Sequence, residues 1–267
     1  KANLECHLDR ILLDVKRSSY RYSRLRPFFI PKKNGRRVIC VPTIADRLVQ
    51  RTVAQYLAKV DRLRLLNEVS YGFILERGVA KAVKEAKAIR TSREWVLKTD
   101  IQSFFDRIDR TKLKEQIRRR LGRHSLVPFL SAAVDCELRP ASPEEAKELK
   151  SLGIRVGLGL RQGMPLSPLL ANLCLADFDR AAIAAKYKII RYADDLILFG
   201  DSRAEVEDGY NFIADELKKV GHSIPCPGPG SKTEFVAPKQ PVEFLGLEIV
   251  HKETAGGYVC RIPKSVK

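Results

Sequence analysis

The sequence has few of the residues that mark metal-binding or disulfide-rich proteins. Its six cysteines are scattered with no Cys-x-x-Cys pair, and its four histidines are isolated. This spacing argues against a structural zinc site and against a secreted disulfide framework. We therefore expect reduced thiols in a cytoplasmic protein. No grouping of Ser, His and Asp, or of Cys and His, indicates a nucleophile.

Long apolar runs are also lacking. No run approaches the length needed to span a membrane, and the chain does not start with a signal peptide. We expect no membrane partner. The chain opens on Lys1 rather than Met, which indicates a fragment or a processed form.

Positive charge is what the sequence has in excess. Its 267 residues include 49 Lys or Arg and 32 Asp or Glu, a net charge of +17. Residues 1–64 alone hold 16 basic and 5 acidic residues, and a second basic run covers 110–123. Such a field favours a polyanion, and nucleic acid is the leading candidate. An acidic membrane surface is the rival, but the sequence offers no anchor for it.

The apolar pattern predicts helices and strands in mixed order, within one large domain or two intimate lobes. Helices are expected over 3–16, 45–65, 79–89, 112–121, 126–134, 168–184 and 204–220, with a charged loop or helix over 141–150. Strands are expected over 28–30, 38–41, 95–97, 234–236, 242–250 and 258–262, with a hairpin turn over 32–35. No βαβ repeat is present, so the α+β class is favoured over a doubly wound sheet.

Two adjacent carboxylates, Asp194 and Asp195, lie between the apolar runs 189–190 and 196–199. Each run has the length of a strand, and only a tight turn fits between them, which predicts a β-hairpin with both carboxylates at its tip. Like charges side by side repel unless a cation lies between them, and hard oxygen ligands suit Mg²⁺. The alternative is a solvated turn that is merely acidic.

A third carboxylate is needed for a two-metal site, and Asp100 is the candidate because it directly follows the apolar strand 95–97. Asp106 and Asp109 lie nearby in a more polar stretch. Two metal ions about 4 Å apart can activate an attacking hydroxyl and stabilise the leaving oxygens of a phosphoryl transfer. Carboxylates at strand ends suit that geometry.

Several segments, in the expected order, resemble the motifs of reverse transcriptases of the bacterial group II intron and retron type. The Tyr-x-Asp-Asp box is matched by Tyr192-Ala193-Asp194-Asp195. The other matching segments are Ile30-Pro31-Lys32-Lys33-Asn34-Gly35-Arg36-Arg37, Val41-Pro42-Thr43-Ile44-Ala45-Asp46-Arg47, Ser70-Tyr71-Gly72-Phe73, Lys98-Thr99-Asp100-Ile101-Gln102-Ser103-Phe104-Phe105, Gly159-Leu160-Arg161-Gln162-Gly163-Met164-Pro165-Leu166-Ser167-Pro168 and Phe244-Leu245-Gly246-Leu247.

The resemblance implies the fingers and palm of a right-hand polymerase. Fingers would cover 1–94, with an N-terminal helix, a basic hairpin and helices. The palm would cover 95–267 as an RRM/ferredoxin-like antiparallel sheet backed by helices, with a helical fingers-side insertion at about 111–160. The chain stops soon after 244–247, so we expect the thumb to be absent, or supplied by a missing or fused domain.

The implied activity is RNA-directed DNA polymerisation in the bacterial cytoplasm. Deoxynucleotides from deoxynucleoside triphosphates would be joined to the 3′-hydroxyl of a DNA or RNA primer on an RNA template. Two Mg²⁺ ions would assist, with Mn²⁺ as a possible substitute. The implied ligands are Asp100, Asp194, Asp195 and the backbone carbonyl of Ile101.

The resemblance also implies substrate contacts. Phe105 would lie under the nucleotide sugar and exclude a 2′-hydroxyl, although one of Phe104 and Phe105 is expected to serve only the core. Gln162 and Tyr192 would contact the substrate. Lys232 would protonate the departing pyrophosphate, although the long loop 221–230 before it leaves that alignment open.

The basic hairpin would hold the triphosphate through Lys32 and Arg37 as charge-assisted donors. Lys33 or Arg36 could substitute for them, and a solvated basic turn is the alternative.

Two other functions stay open. Residues 74–78 lack the Arg and Ser that intron-type enzymes often show, which weakens the intron assignment. One alternative is an RNA-binding splicing or scaffold protein with weak or lost polymerase activity. The other is a defence-associated polymerase that makes RNA or adds nucleotides without a template.

Overall fold

The computed structural model describes residues 2–32 and 35–263. The helices are α1 Ala2–Lys16, α2 Ile44–Lys59, α3 Val79–Ser92, α4 Phe104–Arg107, α5 Arg110–Leu121, α6 Leu126–Val134, α7 Pro143–Ser151, α8 Ser167–Cys174, α9 Ala176–Ala184 and α10 Arg203–Lys219. The strands are β1 Arg26–Lys32, β2 Gly35–Val41, β3 Trp95–Asp100, β4 Lys188–Tyr192, β5 Asp195–Gly200, β6 Glu234–Val236, β7 Val242–Phe244, β8 Leu247–Lys252 and β9 Gly257–Arg261. Helices mix with antiparallel sheets, which confirms the α+β class.

The strands β1 and β2 form an antiparallel hairpin in which Lys32 pairs with Gly35. Of the predicted turn residues, Lys33 and Asn34 lie outside the described part. The second strand also contacts a distant loop, since the Cys40 amide donates to the Gln162 carbonyl at 2.6 Å. The hairpin is therefore tied to the segment that carries Gln162.

A four-stranded antiparallel sheet in the order β4-β5-β3-β6 occupies the centre. Both of its faces are covered, so its strands read as nearly continuous apolar runs. One face packs against α10 and the larger core, through Leu97, Leu196 and Leu198. The other packs against α3 and the small sheet β7-β8-β9, through Val96, Ile197 and Phe199.

The small sheet is tied to α3 by Arg90, whose side chain is fully buried. Its Nη2 donates to the Gln240 carbonyl at 2.6 Å, and its guanidinium lies 4.8 Å from the centre of the Tyr258 ring. The stretch predicted as strand over 242–250 forms two strands, because Leu245 and Gly246 adopt positive φ angles of 53° and 77° and reverse the chain.

Two helices end earlier than the periodicity predicts. The helix expected over 45–65 ends at Lys59, and Asp61 and Arg64 adopt positive φ angles just beyond it. The helix expected over 168–184 breaks at Leu175, where φ is −94° and ψ is 2° and the amide bonds to the Leu173 carbonyl. Apolar periodicity continues across both breaks, which is why the sequence does not show them. Among the described helices, none is both long enough and apolar enough to cross a membrane.

Candidate active site

A cleft of about 770 Å³ opens between the β1-β2 hairpin, the end of β3 and the β4-β5 turn. Eight of the residues that the sequence predicts for the site line it: Lys32, Arg37, Asp100, Ile101, Phe105, Gln162, Asp194 and Lys232. Two others, Tyr192 and Asp195, lie on the hairpin that borders the cleft without lining it. The structure thus brings residues from five distant parts of the sequence to one place.

The three predicted carboxylates meet at one end of the central sheet. The antiparallel register pairs Asp100, the last residue of β3, with Asp195, the first residue of β5. Tyr192 pairs with Asp195 from the other side, so Ala193 and Asp194 form the turn. The Ile101 amide donates to the Asp194 carbonyl at 3.0 Å. This bond fixes the turn against the end of β3.

The carboxylates repel one another. Desolvation, together with the charges of Asp194 and Asp100, raises the pKa of Asp195 to about 6, although the residue as a whole is exposed. Desolvation and the charge of Asp100 likewise raise the pKa of Asp194 above its ordinary value. Such a site favours a cation, and its oxygen donors suit a hard divalent ion.

In this structure the positive charge beside the carboxylates is the ammonium group of Lys232. Its Nζ forms an ion pair with Asp100 Oδ2, and this hydrogen bond raises the pKa of the lysine. In residues 2–32 and 35–263, no group of three or more His, Cys, Asp and Glu is arranged to hold a metal ion as it stands. The donor set fits a divalent cation, and Lys232 occupies one of its oxygens, Asp100 Oδ2.

The Gln162 side of the cleft is packed against β2. Gly163 has φ of +105°, and a Cβ placed on it would lie 2.7 Å from the Cys40 carbonyl oxygen. Only glycine allows this approach. The neighbouring Gln162 faces the cleft.

The two phenylalanines differ in burial. Phe104 is 2% exposed and belongs to the core, where its ring also contacts His222. Phe105 is half-buried, and its ring packs edge-on against Phe104 with 5.4 Å between centroids. Of the pair, Phe105 is therefore the more accessible from the cleft.

The basic residues of the hairpin also differ. Lys32 and Arg37 are exposed on the cleft, without an ion pair among the described residues. Arg36 is engaged by Glu148 of α7 at 2.6 Å. The remaining candidate, Lys33, lies outside the described residues.

A buried ion network, which the sequence does not predict, lies beneath the Asp194 turn. Its centre is Arg191, whose side chain is 0% exposed. The guanidinium bonds to both oxygens of Asp179 at 2.7 and 2.6 Å, and to Asn172 Oδ1, Ser70 Oγ and the Ala193 carbonyl at 3.0, 2.9 and 3.1 Å. We call these five residues the Arg191 network. A basic residue inside the apolar strand 188–192 is the signal that could have revealed it.

A second network, also missed, lies beneath the Gln162 loop, and its centre is Glu137. Its carboxylate accepts from Arg110 and Arg161 at 2.6 Å each and from the Gly157 amide at 2.8 Å. Burial raises the pKa of Glu137, but the bonds from Gly157 and the two arginines outweigh it and hold the pKa below its ordinary value. We call these four residues the Glu137 network. The sequence gives no local signal for it.

Comparison with known proteins identifies the family. The family described as "Reverse transcriptase (RNA-dependent DNA polymerase)" matches residues 30–249. Protein YkfC of Escherichia coli K12 is 29% identical over 192 residues, which cover 67% of this chain and 46% of that protein. The group II intron-encoded protein LtrA of Lactococcus lactis is 26% identical over 219 residues, 81% of this chain and 33% of LtrA. The chain thus spans less than half the length of these relatives.

Solved structures of telomerases share the fold. Apo telomerase from Candida tropicalis, truncated from its C-terminal domain, superposes with a TM-score of 0.61 and 14% identity, over 89% of this chain and 56% of that chain. Telomerase from Candida albicans, in complex with a fragment of telomeric RNA, gives a TM-score of 0.56 and 16% identity, over 88% and 46%. At these identities the likeness concerns the fold alone.

Proposed function

The chain belongs to the reverse transcriptase family, of the group II intron-like type, and we propose that it is an RNA-directed DNA polymerase. It would transfer deoxynucleotides to a DNA or RNA primer paired with an RNA template. The observation that carries this proposal is the meeting of Asp100, Asp194 and Asp195 at one edge of a basic cleft. Since YkfC and LtrA are bacterial proteins, the bacterial cytoplasm is the proposed setting.

The proposed architecture is fingers over 1–94 and a palm over 95–267, with a helical insertion at about 111–160. The chain order β3, β4-β5, β6, with helices between, and the sheet order β4-β5-β3-β6 support an RRM/ferredoxin-like palm. The last described strand, β9, belongs to the small sheet. After α10, the described residues up to 263 form only strands and the 3-10 turn Glu253–Ala255, which supports the proposal that this described part holds no helical thumb.

We propose that Asp100, Asp194, Asp195 and the Ile101 carbonyl hold two divalent cations, Mg²⁺ or in its place Mn²⁺. Bound there, such ions would offset the repulsion among the carboxylates, activate the primer hydroxyl and stabilise the leaving oxygens. Lys232 would then leave Asp100. Its ammonium group would stay beside the reacting phosphates, in a position to give a proton to pyrophosphate.

The remaining cleft residues would orient the nucleotide. Lys32 and Arg37, exposed on the hairpin, would bind the triphosphate as charged donors. Phe105 would pack beneath the sugar, and Gln162 would contact the nucleotide from the loop. Tyr192, half-buried beside the carboxylates with its ring 6.2 Å from that of Phe73, would contact the substrate at the turn.

A primer-extension assay on an RNA template tests the proposal. Asp195→Asn keeps the shape of the side chain but removes its charge, so incorporation should fall by about 10²-fold or more. RNA binding should persist. Asp208→Asn, an exposed acidic residue on α10, is the matched control and should behave as the parent protein. Unchanged incorporation by Asp195→Asn would refute the catalytic assignment.

The same assay separates the alternatives. Equal use of ribonucleotides and deoxynucleotides by the parent protein would favour RNA synthesis. RNA binding without any extension by the parent would favour a splicing or scaffold role.

A further inference from the structure

The Asp194 turn has a backbone that needs support. Ala193 adopts φ of +56°, a left-handed conformation that is sterically unfavourable for a residue with a Cβ. This residue directly precedes Asp194, so its conformation sets where the Asp194 carboxylate lies. Contacts that hold Ala193 in this conformation therefore also stabilise the position of Asp194.

The Arg191 guanidinium provides one such hold. Its Nη1 donates to the Ala193 carbonyl at 3.1 Å from within the core. We propose that Arg191 is a positioning residue, which fixes the Asp194 turn in the conformation that binds the catalytic cations. The inference rests on the proposed function and deepens it.

The guanidinium is itself buried and hydrogen-bonded at every donor. Arginine has five N–H donors, and the Arg191 network uses all five of them. Its acceptors come from three other segments, since Asp179 lies on α9, Asn172 on α8 and Ser70 in the stretch before Phe73. Through Arg191, the position of Ala193 is therefore fixed relative to two helices and a distant segment, and not by its own hairpin alone.

A second set of contacts holds the same turn from the side. The Tyr71 amide donates to the Arg191 carbonyl, and the Arg191 amide to the Val69 carbonyl, both at 2.8 Å. A Cβ placed on Gly72 would lie 2.5 Å from the Ala193 nitrogen, so the two backbones are in direct contact. Asn172 Nδ2 completes the arrangement by donating to the Gly72 carbonyl at 2.7 Å.

The charges of the Arg191 network indicate that Arg191 positions the Asp194 turn and does not serve to neutralise the Asp194 carboxylate. Asp179, which is 2% exposed, balances Arg191 with two parallel hydrogen bonds. The pair is thus neutral as a unit and does not compete with a bound cation for Asp194. A buried ion pair of this kind often contributes little net stability compared with apolar residues of similar volume. A role in fixing geometry accounts for its place beneath the turn.

The test removes both charges and keeps the volume, as Arg191→Met/Asp179→Leu. Three readouts are needed: Mn²⁺ binding by electron paramagnetic resonance, hydrogen exchange of the Ile101 amide, and primer extension against Mg²⁺ concentration. We expect Mn²⁺ affinity to fall about tenfold, and the Mg²⁺ needed for half-maximal extension to rise as much. The Ile101 amide, which donates to the Asp194 carbonyl, should exchange at least tenfold faster. The KM for deoxynucleotides should stay unchanged.

Arg90→Met is the matched control, because Arg90 is also fully buried but lies against the small sheet. It should lower stability without changing Mn²⁺ affinity or Ile101 exchange. A folded double variant with parental values for both would overturn the proposal.

If the double variant does not fold, Ser70→Ala replaces it, because it removes one acceptor and keeps the ion pair. It should shift both readouts in the same direction by about two- to threefold, and parental values would again overturn the proposal. Metal binding and hydrogen exchange do not require catalysis. A parent protein that extends no primer would refute the proposed function while these readouts still decide the role of Arg191.

Discussion

Each side of the cleft lies over an ionic network, and the central residues of the two networks carry opposite charges. Under the Asp194 turn the centre is a cation, Arg191, which binds acceptors and among them a backbone carbonyl. Under the Gln162 loop the centre is an anion, Glu137, which binds donors and among them a backbone amide. The cation thus donates to a backbone carbonyl, and the anion accepts from a backbone amide.

The networks also differ in their access to water. Arg191 and Asp179 are 0% and 2% exposed, whereas the Glu137 side chain is 25% exposed. Arg191 uses all its donors, but Nε of Arg161 finds no hydrogen-bond partner among the described residues. The Arg191 network, on the side of the three carboxylates, thus has the less exposed acidic residue and a guanidinium with every donor bonded. We infer that disrupting the Arg191 network costs more stability than disrupting the Glu137 network. The following variants test that difference.

The largest effect is expected for Arg191→Met alone. The variant leaves the Asp179 carboxylate buried without its cation, which should lower the free energy of unfolding by about 3–5 kcal/mol. Urea denaturation measures the loss. Arg203→Met, which breaks the exposed pair with Glu207, is the control and should cost less than about 1 kcal/mol. A loss no greater than that of the control would remove the claimed contrast.

Glu137→Gln should have a smaller effect, because the Glu137 side chain is 25% exposed whereas that of Asp179 is 2% exposed. The loss of charge-assisted hydrogen bonds should cost about 1.5–3 kcal/mol. In primer extension the KM for deoxynucleotides should rise while the Mg²⁺ requirement stays unchanged, the reverse of the pattern for the Arg191 network. Glu115→Gln, on the exposed face of α5, is the control. A changed Mg²⁺ requirement would mean that the two sides are not independent.

Gly72→Ala tests the lateral support of the Asp194 turn. The added Cβ would meet the Ala193 nitrogen at 2.5 Å, and overpacking of this kind typically costs about 1–3 kcal/mol. Gly228→Ala has open space around the added atom and should stay within about 0.5 kcal/mol of the parent. Thermal unfolding of both variants measures the difference. Equal stability would show that the two backbones separate easily.

The smallest effect concerns pH. Because the pKa of Glu137 is lowered in the folded protein, its stabilising contribution is present above the ordinary glutamate pKa of about 4.3. That contribution is lost as the pH falls through the folded-state value. The stability gap between the parent and Glu137→Gln should therefore be constant from pH 7 to 5 and shrink below about pH 4. A gap that widens on acidification would contradict the direction given for this pKa.

The strand ends were the predictable part of the site. Apolar runs with a tight turn between them placed Asp194 and Asp195 at a hairpin tip, and a third strand placed Asp100 at its end. The structure joins these strands in the register that brings the residues together. Local patterns suffice here because a strand and its turn are encoded by neighbouring residues.

The networks could not be predicted in the same way. Arg191 forms hydrogen bonds with Asp179, Asn172 and Ser70, which lie 12, 19 and 121 residues away in the sequence. No local sequence pattern encodes such pairings. Glu137 lies between the predicted helix 126–134 and the predicted loop or helix 141–150, and it reads as an ordinary loop residue. The break at Leu175 was hidden for a related reason, since the residues on both sides are apolar and helix-forming.

The hydrogen bond from the Cys40 amide to the Gln162 carbonyl joins two walls of the cleft. Gly163 packs against the same strand, so the β1-β2 hairpin and the Gln162 loop are in direct contact at two adjacent residues. If Lys32 and Arg37 bind the triphosphate as proposed, the strand pairing of the hairpin and this hydrogen bond connect the bound phosphate to the loop that carries Gln162. Binding of the triphosphate would then restrain the position of Gln162.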